Sequence, residues 1–170
     1  MNAERQKSYE LRDVEDSDLE LLLQLNEMAV PAVSSIDLVQ MRWFATHAAY
    51  FRVATHEGTV GAFMIGMRPG TSYASPNYRW FCDAYDHFGY IDRIVVTSAA
   101  RRKGLATHIY RDFEATLPAE VTVLTCEVNI EPPNESSMRF HEQLGFERVG
   151  SQETDGGAKE VALLAKELCT

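Results

Sequence analysis

The 170-residue chain is short of cysteine, of long apolar runs and of positive charge. Its three cysteines, Cys82, Cys126 and Cys169, are too few and too scattered for a disulfide framework, and none forms a Cys-x-x-Cys pair, so reduced thiols in a cytoplasm are expected. No stretch approaches about eighteen apolar residues, and Met1 to Ser8 is polar, without the apolar centre of a signal peptide. Neither secretion nor a membrane span is expected, and residues 1–8 read as a flexible N-terminus. Sixteen Lys and Arg stand against twenty-five Asp and Glu, a net charge of −9 that repels nucleic acid and anionic membrane as partners. An anionic ligand then needs a local feature to hold it. The five histidines, His47, His56, His87, His108 and His141, are dispersed, with no spacing suited to zinc, and no metal is expected. The glycines fit neither Gly-x-x-x-x-Gly-Lys-Ser/Thr nor Gly-x-Gly-x-x-Gly. There is no internal repeat, low-complexity tract or linker.

What is present is ordinary globular material: 45% hydrophobic and 24% charged residues. A chain of this length forms one domain, residues 1–170, burying roughly 70% of its unfolded surface. Tyr9 to Val14 reads as a short strand. A helix with Leu19, Leu22, Leu23 and Asn26 on one face follows, capped by Asp16 or Ser17. A second helix is predicted over Asp37 to His47, with Ser34 or Ser35 near its start. Tyr50 to Thr55 and Thr59 to Met67 form a hairpin about His56-Glu57-Gly58. From Arg68 to Gly89 the periodicity is lost, and a loop of about twenty residues in a compact domain is usually functional. It carries Tyr73, Tyr78, Trp80, Phe81, Tyr85 and Phe88, which either pack the loop onto the domain or form a lid over a ligand, with Tyr78 and Trp80 as substrate-binding candidates. Tyr90 to Val96 is a strand, followed by a basic turn and a helix with Leu105, Ile109, Phe113 and Leu117 at four-residue spacing, stopped by Pro118. Val121 to Asn129 is a strand, Asn134 caps a helix that Gly145 ends, and a closing hairpin surrounds Asp155-Gly156-Gly157.

The most informative stretch is Arg101-Arg102-Lys103-Gly104-Leu105-Ala106, between strand and helix. The first N–H groups of a helix lack intrahelical partners and, with the helix dipole, make an anion site. Gly104 lets the backbone approach a ligand with no Cβ in the way, Ala106 keeps the first turn small, and three cations stand against a chain of net −9. A pyrophosphate suits such a turn.

In this context the chain resembles the Gcn5-related N-acetyltransferase (GNAT) superfamily, whose acetyl-CoA motif, Arg/Gln-x-x-Gly-x-Gly/Ala, directly follows the fourth strand. Here the strand ends at Val96, five residues before Arg101. A second family motif places an Asn seven residues before a Tyr that is followed by Gly-Phe; Asn134, His141, Gly145 and Phe146 keep that spacing with His in the Tyr position. The resemblance is specific from Tyr90 to Phe146, and with the aromatic loop and Pro132-Pro133 it points to a bacterial subgroup without an assigned substrate. It implies an α/β (α+β) fold with a mixed, mostly antiparallel sheet flanked by helices, splayed between the fourth and fifth strands. It also implies acetyl-CoA as co-substrate, with Ile94, Val95 and Val96 offering backbone groups to pantetheine and Arg101, Arg102, Lys103, Gly104, Leu105, Ala106 and Thr107 around the pyrophosphate. Asn134 would cap its helix or bond the pantetheine arm. Val128 and Asn134 stand six apart where the family usually has four, so Pro132-Pro133 looks like a small insertion on the acceptor side.

An alkyl ammonium, with a pKa near 10, must lose a proton before it attacks a thioester. Some family members carry a catalytic Glu where this chain has Asp92, and others where it has Tyr90. Strict strand alternation puts Tyr90, Asp92, Ile94 and Val96 on one face and Arg93 and Val95 on the other, with Asp92 as the expected base and Tyr90 able only to position the acceptor or a water. Asp83 and Asp86 are the fallback carboxylates. His141, replacing the family's Tyr, is expected to protonate the departing thiolate as imidazolium. A Cys126 nucleophile served by His141 and Glu127 is the weaker chemistry, because an apolar strand reads as core. The expected activity is acetyl transfer from acetyl-CoA directly to a primary amine of a small molecule or amino-acid-like acceptor. The alternative is an acyl-CoA-binding sensor or partner module without turnover. A homodimer is left open.

Overall fold

The computed structural model describes residues 8–169. In chain order the elements are β1 (Glu10–Asp13), α1 (Leu19–Ala29), α2 (Leu38–His47), β2 (Tyr50–His56), β3 (Thr59–Met67), α3 (Pro76–Ala84), β4 (Phe88–Val96), α4 (Leu105–Thr116), β5 (Val123–Glu131), α5 (Glu135–Gln143), β6 (Glu147–Thr154) and β7 (Lys159–Glu167). The strands make one seven-stranded sheet in the order β1-β2-β3-β4-β5-β7-β6. Every neighbouring pair is antiparallel except β4 and β5, which run parallel. This is the mixed, mostly antiparallel α/β sheet expected from the sequence.

Helices cover both faces. On one, Leu19 and Leu22 of α1, Met41 and Phe44 of α2, and Tyr78 and Phe81 of α3 pack on Val53, Phe63, Ile65 and Leu163. On the other, Leu105, Ile109, Tyr110 and Phe113 of α4 and Phe146 pack on Ala62, Met64, Leu124 and Cys126. The alternation of these residues along β3 and β5 explains why both strands read as nearly continuous apolar runs: each is covered twice. Arg12 on β1 grips both oxygens of Asp18 at 2.7 and 2.8 Å and fixes the entry to α1.

One local expectation is corrected. The presumed loop from Arg68 to Gly89 contains α3, started by Ser75, whose hydroxyl accepts from the Tyr78 N–H at 3.4 Å, and by Pro76 in the first turn. The second helix, expected over Asp37 to His47, runs from Leu38 to His47 and is capped by Asp37, which accepts from the Gln40 N–H at 2.8 Å. Of the presumed flexible residues 1–8, the first seven lie outside the described residues, while the Ser8 carbonyl accepts from His56 at 2.8 Å.

The feature that positions everything else lies in β4. Ile65 of β3 pairs with Arg93 and Gly66 with Ile91, so Asp92 is an extra residue on β4, a β-bulge. On the opposite edge, β4 pairs with β5 from Phe88↔Val123 only as far as Ile91↔Cys126, although β4 runs on to Val96 and β5 to Glu131. The two strands therefore part at the bulge.

Candidate active site

The basic turn leads from β4 into α4. Arg102 and Gly104 both adopt left-handed backbone, with φ of 60° and 73°. Gly104 is the N-cap of α4, no side chain caps the helix, and its first four-residue bond runs from the His108 N–H to the Gly104 carbonyl. The N–H groups of Leu105, Ala106 and Thr107 precede that bond, which is the arrangement that attracts an anion. A Cβ placed on Gly104 would meet nothing within 4 Å, so the space before the helix is open. Lys103 and Arg101 fold back to donate to the carbonyls of Ala99, at 2.7 Å, and Val96, at 3.3 Å, bracing the turn against the end of β4. Beyond Ile91 the edge of β4 that faces β5 carries no strand partner, which leaves backbone groups of the stretch through Ile94, Val95 and Val96 directed into the parting. An extended chain ending in a diphosphate fits this combination of free strand edge, open space and uncapped helix.

Across the parting lies a cavity of about 300 Å³. One wall is the α1–α2 connection, Ala32 to Ser34 and Ile36; another is Tyr73 with Ser75 to Asn77 at the start of α3; the third is Asp155 and Lys159 of the β6–β7 hairpin. Its floor is Asp92 and Arg93 from β4 and Glu127 and Asn129 from β5. The α1–α2 connection is held over the floor by Asn129, which donates to the Pro31 carbonyl at 2.7 Å, and by Arg93, which donates to Asn26 at 2.7 Å and to the Ser34 carbonyl at 3.1 Å.

The bulge changes which side chains share a face. Tyr90 and Val95 both pack in the α1–α3 layer, Ile91, Ile94 and Val96 face the α4–α5 layer, and Asp92 and Arg93 lie together on the cavity floor. The expectation that Asp92 shares a face with Ile94 and Val96 is thus overturned, because strict alternation takes no account of the extra residue. Both Asp92 oxygens are engaged: Tyr73 donates to one at 2.6 Å and Arg93 to the other at 2.7 Å, with the two ion-paired side chains 4% and 3% exposed.

Glu127, the first β5 residue after the paired segment, shares the floor. Tyr90, fully buried, donates its hydroxyl to both Glu127 oxygens at 2.9 and 2.8 Å. Burial first, and then the neighbouring Asp92 charge, push the Glu127 carboxyl up to about 8, partly offset by the hydrogen bonds from Tyr90 and Asn77. Two carboxyl groups meet here in different surroundings: Asp92 is held by Tyr73 and the Arg93 guanidinium, while Glu127 meets the Tyr90 hydroxyl and is poised to exchange a proton near neutrality. In the sequence alone Glu127 stands out only as a partner to Cys126. The signal that could have singled it out is a carboxylate in mid-strand, at a position that alternation assigns to the layer opposite Cys126 and Val128.

His141 is 3% exposed, and both its ring nitrogens are used. Nδ1 lies 2.7 Å from the Ser137 carbonyl, which can only accept, so Nδ1 carries a proton, and Nε2 lies 2.7 Å from the Tyr110 hydroxyl. Burial lowers its pKa. That shift disfavours the imidazolium expected from the sequence, and the ring sits edge-on among Tyr110, Phe140 and Phe146. Asn134 caps α5 through the Ser137 N–H at 3.3 Å. Cys126 is buried, and its thiol is pushed up by that burial. Tyr78 is 2% exposed, donates to the Arg68 carbonyl at 2.8 Å and packs among Tyr73, Phe88 and Tyr90; Trp80 lies against Gly150 of β6. Neither lines the cavity, so the lid expectation gives way to packing, and the aromatic of this segment that does face the cavity is Tyr73. Asp83 is exposed, and Asp86 lines a separate groove at the opposite end of β5. Among the described residues no cluster of three or more His, Cys, Asp or Glu is arranged to hold a metal, and no helix is long and apolar enough to cross a membrane.

A sheet splayed between two parallel neighbours, with an uncapped helix start beside the parting, is the architecture of an acyl-group transferase that takes a long, anion-bearing donor. The profile of the acetyltransferase (GNAT) family matches residues 19–146, and the chain belongs to that family. Solved structures agree in fold. A candidate phosphinothricin N-acetyltransferase is 24% identical, with a TM-score of 0.71 over 96% of this chain and 100% of the other. The ribosomal-protein-S18-alanine N-acetyltransferase of Escherichia coli is 16% identical, with a TM-score of 0.69 over 96% of each chain. Naa20 of Chaetomium thermophilum, solved with a bisubstrate analogue, is 19% identical, with a TM-score of 0.74 over 94% of this chain and 86% of that one. No curated protein matches the sequence.

Proposed function

We propose that the chain is an acetyl-CoA-dependent N-acetyltransferase that transfers acetyl directly to the primary amine of a small acceptor, with Glu127 as the base. The observation that carries this reading is the meeting of Asp92 and Glu127 on the floor of one cavity, at the point where β4 and β5 part. When bound, acetyl-CoA supplies the acetyl thioester. Gly104, Leu105, Ala106 and Thr107 would hold its diphosphate through backbone N–H groups, with Arg101, Arg102 and Lys103 adding positive charge, while Ile94, Val95 and Val96 would hold pantetheine along the open edge of β4.

The acceptor amine enters from the cavity as an ammonium. Glu127 takes the ammonium proton on a carboxylate oxygen, and its raised pKa makes it a better base than an ordinary carboxylate at neutral pH. Asp92, with Tyr73 and Arg93 on its two oxygens, acts as a positioning residue: its charge helps hold Glu127 up and it anchors the floor. Tyr90 orients the Glu127 carboxylate. The amine then attacks the thioester carbonyl, the C–S bond breaks, and the proton that the nitrogen sheds on becoming an amide passes to the departing sulfur, without help from His141, whose Nδ1 proton is committed to Ser137.

That commitment is also what favours the second reading, an acyl-CoA-binding module without turnover. The two separate in one experiment: acetyl-CoA binding by calorimetry, and free-thiol release across a panel of amines, polyamines and amino acids. Binding with turnover of at least one amine supports the transferase; binding with no turnover across the panel supports the module.

A further inference from the structure

The charges around the cavity are unevenly satisfied. Two cationic side chains line it among the described residues, Arg93 and Lys159. The Arg93 guanidinium is consumed by Asp92 at 2.7 Å, Asn26 at 2.7 Å, the Ser34 carbonyl at 3.1 Å and the Ser34 hydroxyl at 3.2 Å. Lys159 has only a 3.5 Å contact to Asp155, a carboxylate that is itself 61% exposed, while its own side chain is 21% exposed. An ammonium offers three donors, so Lys159 keeps donors to spare in a largely buried position.

Lys159 also stands where a ligand's far end would reach. Leu163 of β7 lies directly opposite Glu127, and residues of β7 with the parity of Leu163 face the same layer, Lys159 among them. Four residues along a strand are roughly 13 Å at Cα level, and the two residues line one cavity at different places along it. The floor charges add to the argument. Asp92 is matched by Arg93, so an anion arriving at Lys159 competes only with Asp155, whose carboxylate is largely exposed.

On the acceptor reading above, we infer that the acceptor is a small zwitterion: its primary amine lies at Glu127 and its carboxylate is held by Lys159. Lys159 is then a specificity-determining residue, and the acceptor class is free amino acids rather than simple amines or polyamines. A peptide N-terminus, whose α-carboxyl is an uncharged amide, would leave Lys159 without a partner at that place.

The test uses matched triplets on the full chain with acetyl-CoA: an amino acid, its amide and its decarboxylated amine, taken from α- and γ-amino acids, with thiol release as the readout. The expected result is a kcat/KM for the free acid at least tenfold above both uncharged partners, expressed in KM. Lys159→Met collapses that ratio toward one, and Lys159→Arg retains most of it. A wild type that acetylates the amide or the amine as well as the acid overturns the anion site while leaving the transferase reading intact, and this comparison needs no variant to fold. A preference that survives Lys159→Met also overturns it. If nothing in any triplet turns over while acetyl-CoA binds, the transferase reading falls and this inference falls with it.

Discussion

Tyr90 and Glu127 sit on the two strands that part, and the Tyr90 hydroxyl bonds both Glu127 oxygens at 2.9 and 2.8 Å. The bond favours the charged form of Glu127, whereas Asp92 disfavours it, so removing either should move the same titration in opposite directions. Tyr90→Phe is expected to shift the midpoint of the kcat/KM profile upward in pH and to cost about 1 kcal/mol of stability for the lost bond. Asp92→Asn is expected to shift it downward with activity retained at its optimum. Because that change leaves Arg93 facing a neutral partner, it should also cost roughly 3 kcal/mol in denaturant melts. Abolished activity at every pH in folded Asp92→Asn would make Asp92 the base instead.

Gly104 carries φ of 73° with open space at its Cβ position, so a substitution there acts through backbone strain and through the ligand, not through the core. Gly104→Val should cost about 1–2 kcal/mol of stability. It should also weaken acetyl-CoA at least about tenfold in calorimetric titration, about 1.4 kcal/mol. Gly104→Ala is the milder member of the pair and should fall between wild type and Val.

Tyr78 and Trp80 are structural in this account. Tyr78→Phe leaves the Arg68 carbonyl without one donor, and Trp80→Ala opens a gap against Gly150, so both should lower the melting temperature, Trp80→Ala by roughly 3 kcal/mol or more in free energy. Neither should change the acceptor KM by more than about twofold in folded protein, on the reading that they do not touch the ligand.

The local parts of this molecule were legible in its sequence, and the non-local ones were not. The hairpin at His56-Glu57-Gly58, the helix ended by Gly145 and the basic turn before α4 are each specified by a few adjacent residues, and each appears where expected. The Ser75-Pro76 start of α3 was present in the sequence too, but it lay among aromatics of low helix propensity, whose burial against Phe88 and Tyr90 supplies what propensity does not. The Asp92 bulge depends on how β4 registers against Ile65 and Gly66, which residue alternation cannot reveal. Glu127 looks like any strand carboxylate until the parting of β4 and β5 sets it in a cavity beside Asp92. His141 looked like an acid because its position in the motif was visible and its partners, Tyr110 from another helix and the Ser137 carbonyl, were not.

Glu127 should also leave a mark on stability. Its carboxyl is raised from 4.5 to about 8 in the fold, so the folded state binds the extra proton between those values. The contribution is fully present below about 4.5 and is lost as pH rises through about 8. Melts across this window should therefore show wild type losing stability relative to Glu127→Gln as pH increases, with the difference levelling off above the upper value.

The most direct test of the base assignment is the pH dependence of kcat/KM for wild type and Glu127→Gln, with an acceptor found in the panel and acetyl-CoA binding measured in parallel. The account predicts that wild-type kcat/KM rises through a midpoint near 8, and that Glu127→Gln loses about 10²-fold or more at pH 7, recovers partly at high pH where free amine is available, and binds acetyl-CoA as wild type does. A Glu127→Gln enzyme that keeps wild-type kcat/KM and the same midpoint would contradict it.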